Sequence, residues 1–166
     1  MGDLIQQVAA LLAQEIGLYR NFLELLHQEK EAAVHLDLVR LQQVGRFKEE
    51  LTDRLRRMES RRRKALIKLA TRMDVPAETV TLKALAERLD ELHSQHLSQV
   101  RAELLTVIHS VQEANQQNRA LLAHSIDLLK GSYQMLARLT ADGAVYARTG
   151  SIFSNGSAGR IFSGQV

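Results

Sequence analysis

From Leu97 to Leu139 one set of side chains steps three, four, three, four without a slip: Leu97, Val100, Leu104, Val107, Val111, Ala114, Asn118, Leu121, Ser125, Leu128, Ser132, Met135, Leu139. A spacing that averages 3.5 keeps these residues on one stripe of a helix, and such a stripe is buried by packing along a second helix. Strands repeat every two residues and cannot present this series on one face. The chain is therefore committed to long helices that need helical partners. The remainder agrees. From Asp3 to about Thr140 the sequence is rich in Leu, Ala, Gln, Glu and Arg, which cost a helix least, and Pro76 is the single proline.

A second seam runs beside the first: Leu105, Ile108, Gln112, Asn115, Arg119, Leu122, Ile126, Leu129, Tyr133, Leu136. Together the two make a face about 160° wide at roughly 100° per residue, broader than the stripe one partner helix needs. From Leu121 onward both seams are apolar. Either the chain's own first helix covers this surface, or part of it is kept for another molecule.

Upstream, apolar residues recur at three and four as Leu18, Phe22, Leu25, Ala32, Leu36, Val39, and again as Phe47, Leu51, Leu55, Met58, Ala65, Leu69. This predicts one long helix over about 3–72, or two helices nearly in line. The phase slips over 42–45, where Gly45 also weakens a helix, so a kink is predicted there. The stretch 73–80 reads as the reversal, with Pro76 suited to a first helical turn, and 81–140 as the return helix. The expected fold class is all-α: an elongated antiparallel helical hairpin or three-helix coiled-coil bundle over 1–140, followed by a flexible tail over 141–166. The tail holds five of the nine glycines and no helical period. It carries Tyr146 and two IFS triplets nine residues apart, the kind of spaced anchors that short docking segments use.

Composition narrows the function. The absence of cysteine excludes disulfides and thiolate metal sites and fits a reducing compartment. The start, MGDLIQQ, lacks a basic leader, and no run approaches the roughly 18 apolar residues of a membrane span. A cytoplasmic chain without stable membrane insertion is expected. Net charge is +3, yet residues 45–72 hold eleven basic and four acidic side chains, so the positive excess is local. Arg56, Arg57, Arg61, Arg62, Arg63 and Lys64 suit a phosphate-binding edge. No aromatic residue interleaves for stacking, however, and the blander reading is a solvated face paired with Glu87, Asp90 and Glu91 of the return helix.

Chemistry is sparse. His93 and His96 are three apart, but no HExxH pattern or carboxylate cluster supports a metal. No nucleophile elbow and no phosphate-binding glycine loop occurs. The chain is expected not to be an enzyme, and to need no metal or cofactor. Asn115 and Asn118 remain to be explained, since a helix interior disfavours asparagine. A polar residue on a seam fixes register at a cost in stability.

The run EANQQNRALLAHSIDLL (113–129) resembles the last-helix segment of the FlgN family of flagellar export chaperones, where N-x-x-N-x-x-LL-x-x-S-hydrophobic precedes the helix end. Asn115, Asn118, Leu121, Leu122, Ser125, Ile126 and Leu129 match it. LYRNFLELLHQEKEAAVHLD (18–37), the basic run before the Pro76 turn, and TLKALA (81–86) are similar to the family as well. The resemblance implies a cytoplasmic chaperone for the hook–filament junction proteins FlgK and FlgL, binding their C-terminal helices and delivering them to the cytoplasmic domain of the export gate protein FlhA. It implies a client surface on Asn115, Asn118, Leu121, Leu122, Ser125, Ile126, Leu128, Leu129, Tyr133 and Leu136, and gate docking by Tyr146. The alternative is a coiled-coil scaffold that binds nucleic acid through 54–72 or self-associates as a homodimer through its wide face.

Overall fold

A computed structural model describes residues 2–76, 81–141, 144–146 and 152–154. Its elements are α1 (Gly2–Val34), α2 (Leu38–Arg72), α3 (Leu82–Ala86), α4 (Glu91–Ala141), β1 (Ala144–Tyr146) and β2 (Ile152–Ser154). The all-α class that the seam requires is what the chain adopts. It divides into two units, residues 1–121 and 122–166, and α4 begins in the first and ends in the second.

In the first unit, α1 and α2 lie side by side and antiparallel. The expected continuous helix over 3–72, kinked at Gly45, is replaced by a full reversal at 35–37. Gly45 sits inside α2, where an added Cβ would meet nothing. The reversal is built by the backbone. Asp37 N–H donates to Ala32 O at 2.9 Å and Leu36 N–H to Ala33 O at 3.2 Å, while Leu36 adopts φ 53°. These are the two bonds and the left-handed residue of a Schellman stop. Asp37 then caps α2, its carboxylate accepting from Arg40 N–H at 2.9 Å. The same device ends α2: Val75 N–H reaches Ala70 O at 3.0 Å across Asp74 at φ 51°, with Val75 and Ala70 both buried.

Apolar periodicity misleads at the first stop because a leucine occupies the position that glycine usually takes. Leu36 and Val39, which read as part of a core stripe, are well exposed at this tip, as are their neighbours Val34 and Leu38. Leu36 is 61 % exposed, so its side chain loses little packing when removed. Leu36→Gly relieves the left-handed penalty and should raise unfolding stability by about 0.5–1 kcal/mol. Urea denaturation followed by circular dichroism measures it, and a lower midpoint would contradict the assignment of the stop.

The core is a seam against seams. Along α1 the buried face runs Ile5, Val8, Leu12, then Leu26 and Ala33. Along α2 it runs Val44, Leu51, Ala65, Leu69, and α4 adds Leu97, Leu104 and Val107. Alanines 65, 70 and 86 let backbones approach closely where Leu12, Leu69, Leu85 and Leu97 fill the space. Helix α3 is capped by Thr81, whose hydroxyl accepts from Ala84 N–H at 3.0 Å, and it closes the end of the core with Leu82 and Leu85. Helix α4 starts on Asp90, which accepts from His93 N–H and meets His93 Nδ1 at 2.6 Å. That histidine contact holds the exposed Asp90 carboxyl below its ordinary range.

Two glutamates occupy seam positions of α1, and each meets a cation at a seam position of α2. Glu15, only 2 % exposed, lies 2.7 Å from Arg62 Nε. The Nε–H is not aimed at that oxygen, so the contact is ionic without the directional part of a hydrogen bond. Glu29 takes Lys48 Nζ on both oxygens at 2.9 Å, and Lys48 also sits 5.9 Å from the Phe22 ring centroid. The step from Glu15 to Glu29 along α1 is matched residue for residue by the step from Arg62 back to Lys48. Both pairs thus hold one antiparallel register.

The second unit contains the end of α4, Leu122–Ala141, and a pair of three-residue antiparallel strands. Ala144 is opposite Ser154, Val145 opposite Phe153 and Tyr146 opposite Ile152. Among the described residues of the stretch expected to lack regular structure, both strands carry β-branched or aromatic side chains, Val145 and Tyr146 in β1 and Ile152 and Phe153 in β2. The second IFS triplet, 161–163, lies outside the described residues.

Candidate functional site

Asn118 is where the odd asparagines acquire a structural role. It is 3 % exposed, and its Nδ2 donates to Leu26 O at 2.7 Å and to Glu29 Oε2 at 2.9 Å. Leu26 belongs to α1, and Glu29 already holds Lys48 of α2. One carboxylate therefore ties three helices at one level, and the asparagine sets the register of α4 against the hairpin. Nearer the start of α4, Glu103 pairs with Arg20. Both contacts place α4 alongside α1 and running in the same direction. Asn115 is half-buried one turn earlier on the neighbouring seam. Glu15, Glu29, Lys48 and Arg62 were not legible as a polar layer, although Glu15 continues the series Ile5, Val8, Leu12. A charge on an otherwise apolar seam was the available signal.

Burial along α4 changes with position. Leu97 is fully buried, and Leu104, Val107 and Asn118 are at most 8 % exposed. Leu121, Leu122 and Ser125 are half-buried. Beyond them the apolar side chains stand in solvent: Ile126 50 %, Leu128 59 %, Leu129 59 %, Tyr133 74 % and Leu136 61 % exposed, with Met135 similar. Ile126, Leu129, Tyr133 and Leu136 follow i, i+3, i+7, i+10, which aligns them on one helix face. Exposed apolar residues scattered singly are ordinary, whereas these form a contiguous helical face. Helix-in-groove and helix-on-helix recognition use anchors at this spacing. The chemistry available here is burial, since the face carries neither a charged pair nor a buried nucleophile.

Tyr146, expected to act apart from this face, ends β1 opposite Ile152. The basic run departs from its expected pairing with the return helix. Glu87 approaches Lys83, Asp90 pairs with His93, and Glu91 accepts from Gln95, all within three or four residues on their own stretch of chain. Carboxylates so placed find nearer partners than the arginines of α2. Among the described residues no helix is long and apolar enough to cross a membrane.

The model of the FlgN protein family matches residues 1–152 of this sequence. No curated protein and no solved structure gives a significant match. The family match spans the three-helix core, all of α4 and Tyr146, so it covers the polar layer and the exposed face together. On that coverage the chain belongs to the FlgN family, with the general role of a flagellar export chaperone.

Proposed function

We propose that this chain is a cytoplasmic type III export chaperone that binds the C-terminal helices of the hook–filament junction proteins FlgK and FlgL. It keeps them unassembled and delivers them to the cytoplasmic domain of FlhA. The observation that carries the reading is the exposed face of α4 from Ile126 to Leu136. An amphipathic client helix is prone to aggregate until it meets its partner in the filament. Laid on this face it buries its own apolar stripe and that of the chaperone in one step, with no nucleotide or cofactor. Leu121, Leu122 and Ser125 form the half-buried edge of the surface, Asn118 anchors the helix that presents it, and Asn115 lies half-buried on the neighbouring seam. The tail from residue 141 acts separately, with Tyr146 docking at the gate.

Co-purification of the full chain with FlgK and FlgL from the same organism tests this. A stoichiometric complex is expected, lost when the client's C-terminal helix is deleted and kept by a Tyr146→Ala chain that no longer engages the gate. A chain that elutes only as a homodimer and takes up neither client would favour the self-associating coiled coil instead.

A further inference from the structure

A groove runs along the surface between α1 and α2. Its α2 wall carries Arg54, Arg57, Arg61, Lys64 and Lys68, which step three, four, three, four, so five cations stand in one row along the helix. All five are exposed, and among the described residues none forms an ion pair with a carboxylate. The facing wall of α1 is neutral, with Gln7, Gln14 and Asn21 one heptad apart. Between the walls the floor is apolar: Leu11 and Leu18 from α1, Met58 and Ala65 from α2. Gly17 leaves the middle open, since a Cβ there would meet nothing within 4 Å, and the cavity at this point measures about 720 Å³.

We infer that this groove is a docking site for an acidic amphipathic helix of a protein partner, distinct from the α4 face. Three features select that occupant. Both walls and the floor repeat every seven residues, the period of a helix packing along two others. The floor is apolar, so the occupant has an apolar stripe. The rim is a row of unpaired cations, so the flanks of that stripe carry Glu or Asp. Nucleic acid would use the cations but leave the floor and the neutral α1 wall unused, and no aromatic side chain lines the stretch from Arg57 to Lys68 for stacking, Phe47 standing beyond Arg54 at the groove's end. The chain's own later part does not match either, because residues 122–166 hold four basic and two acidic side chains, a net +2.

The probe is a synthetic helical peptide of about 21 residues, three heptads with Leu at a and d and Glu at e and g, titrated against the full chain by fluorescence anisotropy. A scrambled peptide of identical composition and a single-stranded oligonucleotide of equal charge are the comparisons. The amphipathic peptide should bind more tightly than both. Arg57→Glu with Arg61→Glu should weaken it by about tenfold or more by reversing two rim charges. Gly17→Tyr, which changes no charge and fills the groove where there is room for it, should weaken it by a similar factor while leaving the helical signal intact. Leu129→Asp with Tyr133→Asp should leave this binding unchanged, which separates the groove from the α4 face and its failure from failure of the client reading. Equal binding of the scrambled peptide, or insensitivity to Gly17→Tyr, would overturn the proposal. Preferred binding of the oligonucleotide with a steep salt dependence would assign the row to phosphate instead. A dimer of the chain alone that Gly17→Tyr dissociates would give the groove to a second copy.

Discussion

Replacing Arg62 by methionine should lower the unfolding stability of the chain by about 3 kcal/mol at neutral pH, a loss in the range expected when one partner of a buried ion pair is removed. Glu15 is sealed in the α1–α2 interface at 2 % exposure and has Arg62 2.7 Å away. Burial is the largest influence on Glu15 and raises its pKa above the usual glutamate value of 4.5. The Arg62 charge pulls the other way, and Glu59 adds repulsion. Removing Arg62 takes away the one counterweight. The Glu15→Leu, Arg62→Met double variant removes both charges and should recover most of the loss, because an apolar pair of similar volume suits this interface. The pH dependence follows from the same shift. A carboxyl whose folded pKa lies above its unfolded value stabilises the fold most when protonated, and that contribution is lost as pH rises from below 4.5 through the folded value. Without Arg62 the folded value rises further, so the deficit of Arg62→Met against the parent should be large at pH 8 and small near pH 5. Urea unfolding of the three proteins at both pH values measures this. Equal destabilisation of the single and double variants would show that the arginine contributes packing rather than charge.

The part of the fold legible in the sequence was the part where one signal acted alone. In α4 the seam from Leu97 to Leu139 ran unbroken, and the helix followed it. In the first half the same kind of periodicity passed through Leu36, where the chain reverses. Hydrogen bonds from Leu36 and Asp37 back to Ala33 and Ala32 decide that stop, and a leucine in a left-handed conformation announces nothing. Gly45 was the more conspicuous residue but lies in a regular helix with open space around it. The polar layer was half legible. Asn118 stood out because asparagine is unusual there, while its partners are a backbone carbonyl and a glutamate in a sequence full of glutamates. Glu15 and Arg62 were hidden for the same reason: in a helix rich in charge, a seam position has to be counted before a charge on it looks out of place. The exposed face from Ile126 to Leu136 was visible as an excess of apolar width. Its actual exposure required knowing where the first unit ends, at Leu121.

The larger functional effect belongs to that face. Leu129 and Tyr133 are 59 % and 74 % exposed on adjacent turns, so Leu129→Asp with Tyr133→Asp removes two anchors and puts charge where a client's apolar stripe would lie. Burying one such side chain is worth about 1.5–3 kcal/mol, and losing two corresponds to at least about 100-fold in affinity. Both residues lie outside the buried core, so thermal unfolding of the free chain should hardly move. The decisive measurement is a calorimetric titration of the parent and of this double variant with a FlgK or FlgL fragment ending in its C-terminal helix. Saturable binding by the parent, lost in a variant that remains folded and helical, is the result this account predicts. Equal affinity in the two proteins would remove the α4 face from client recognition.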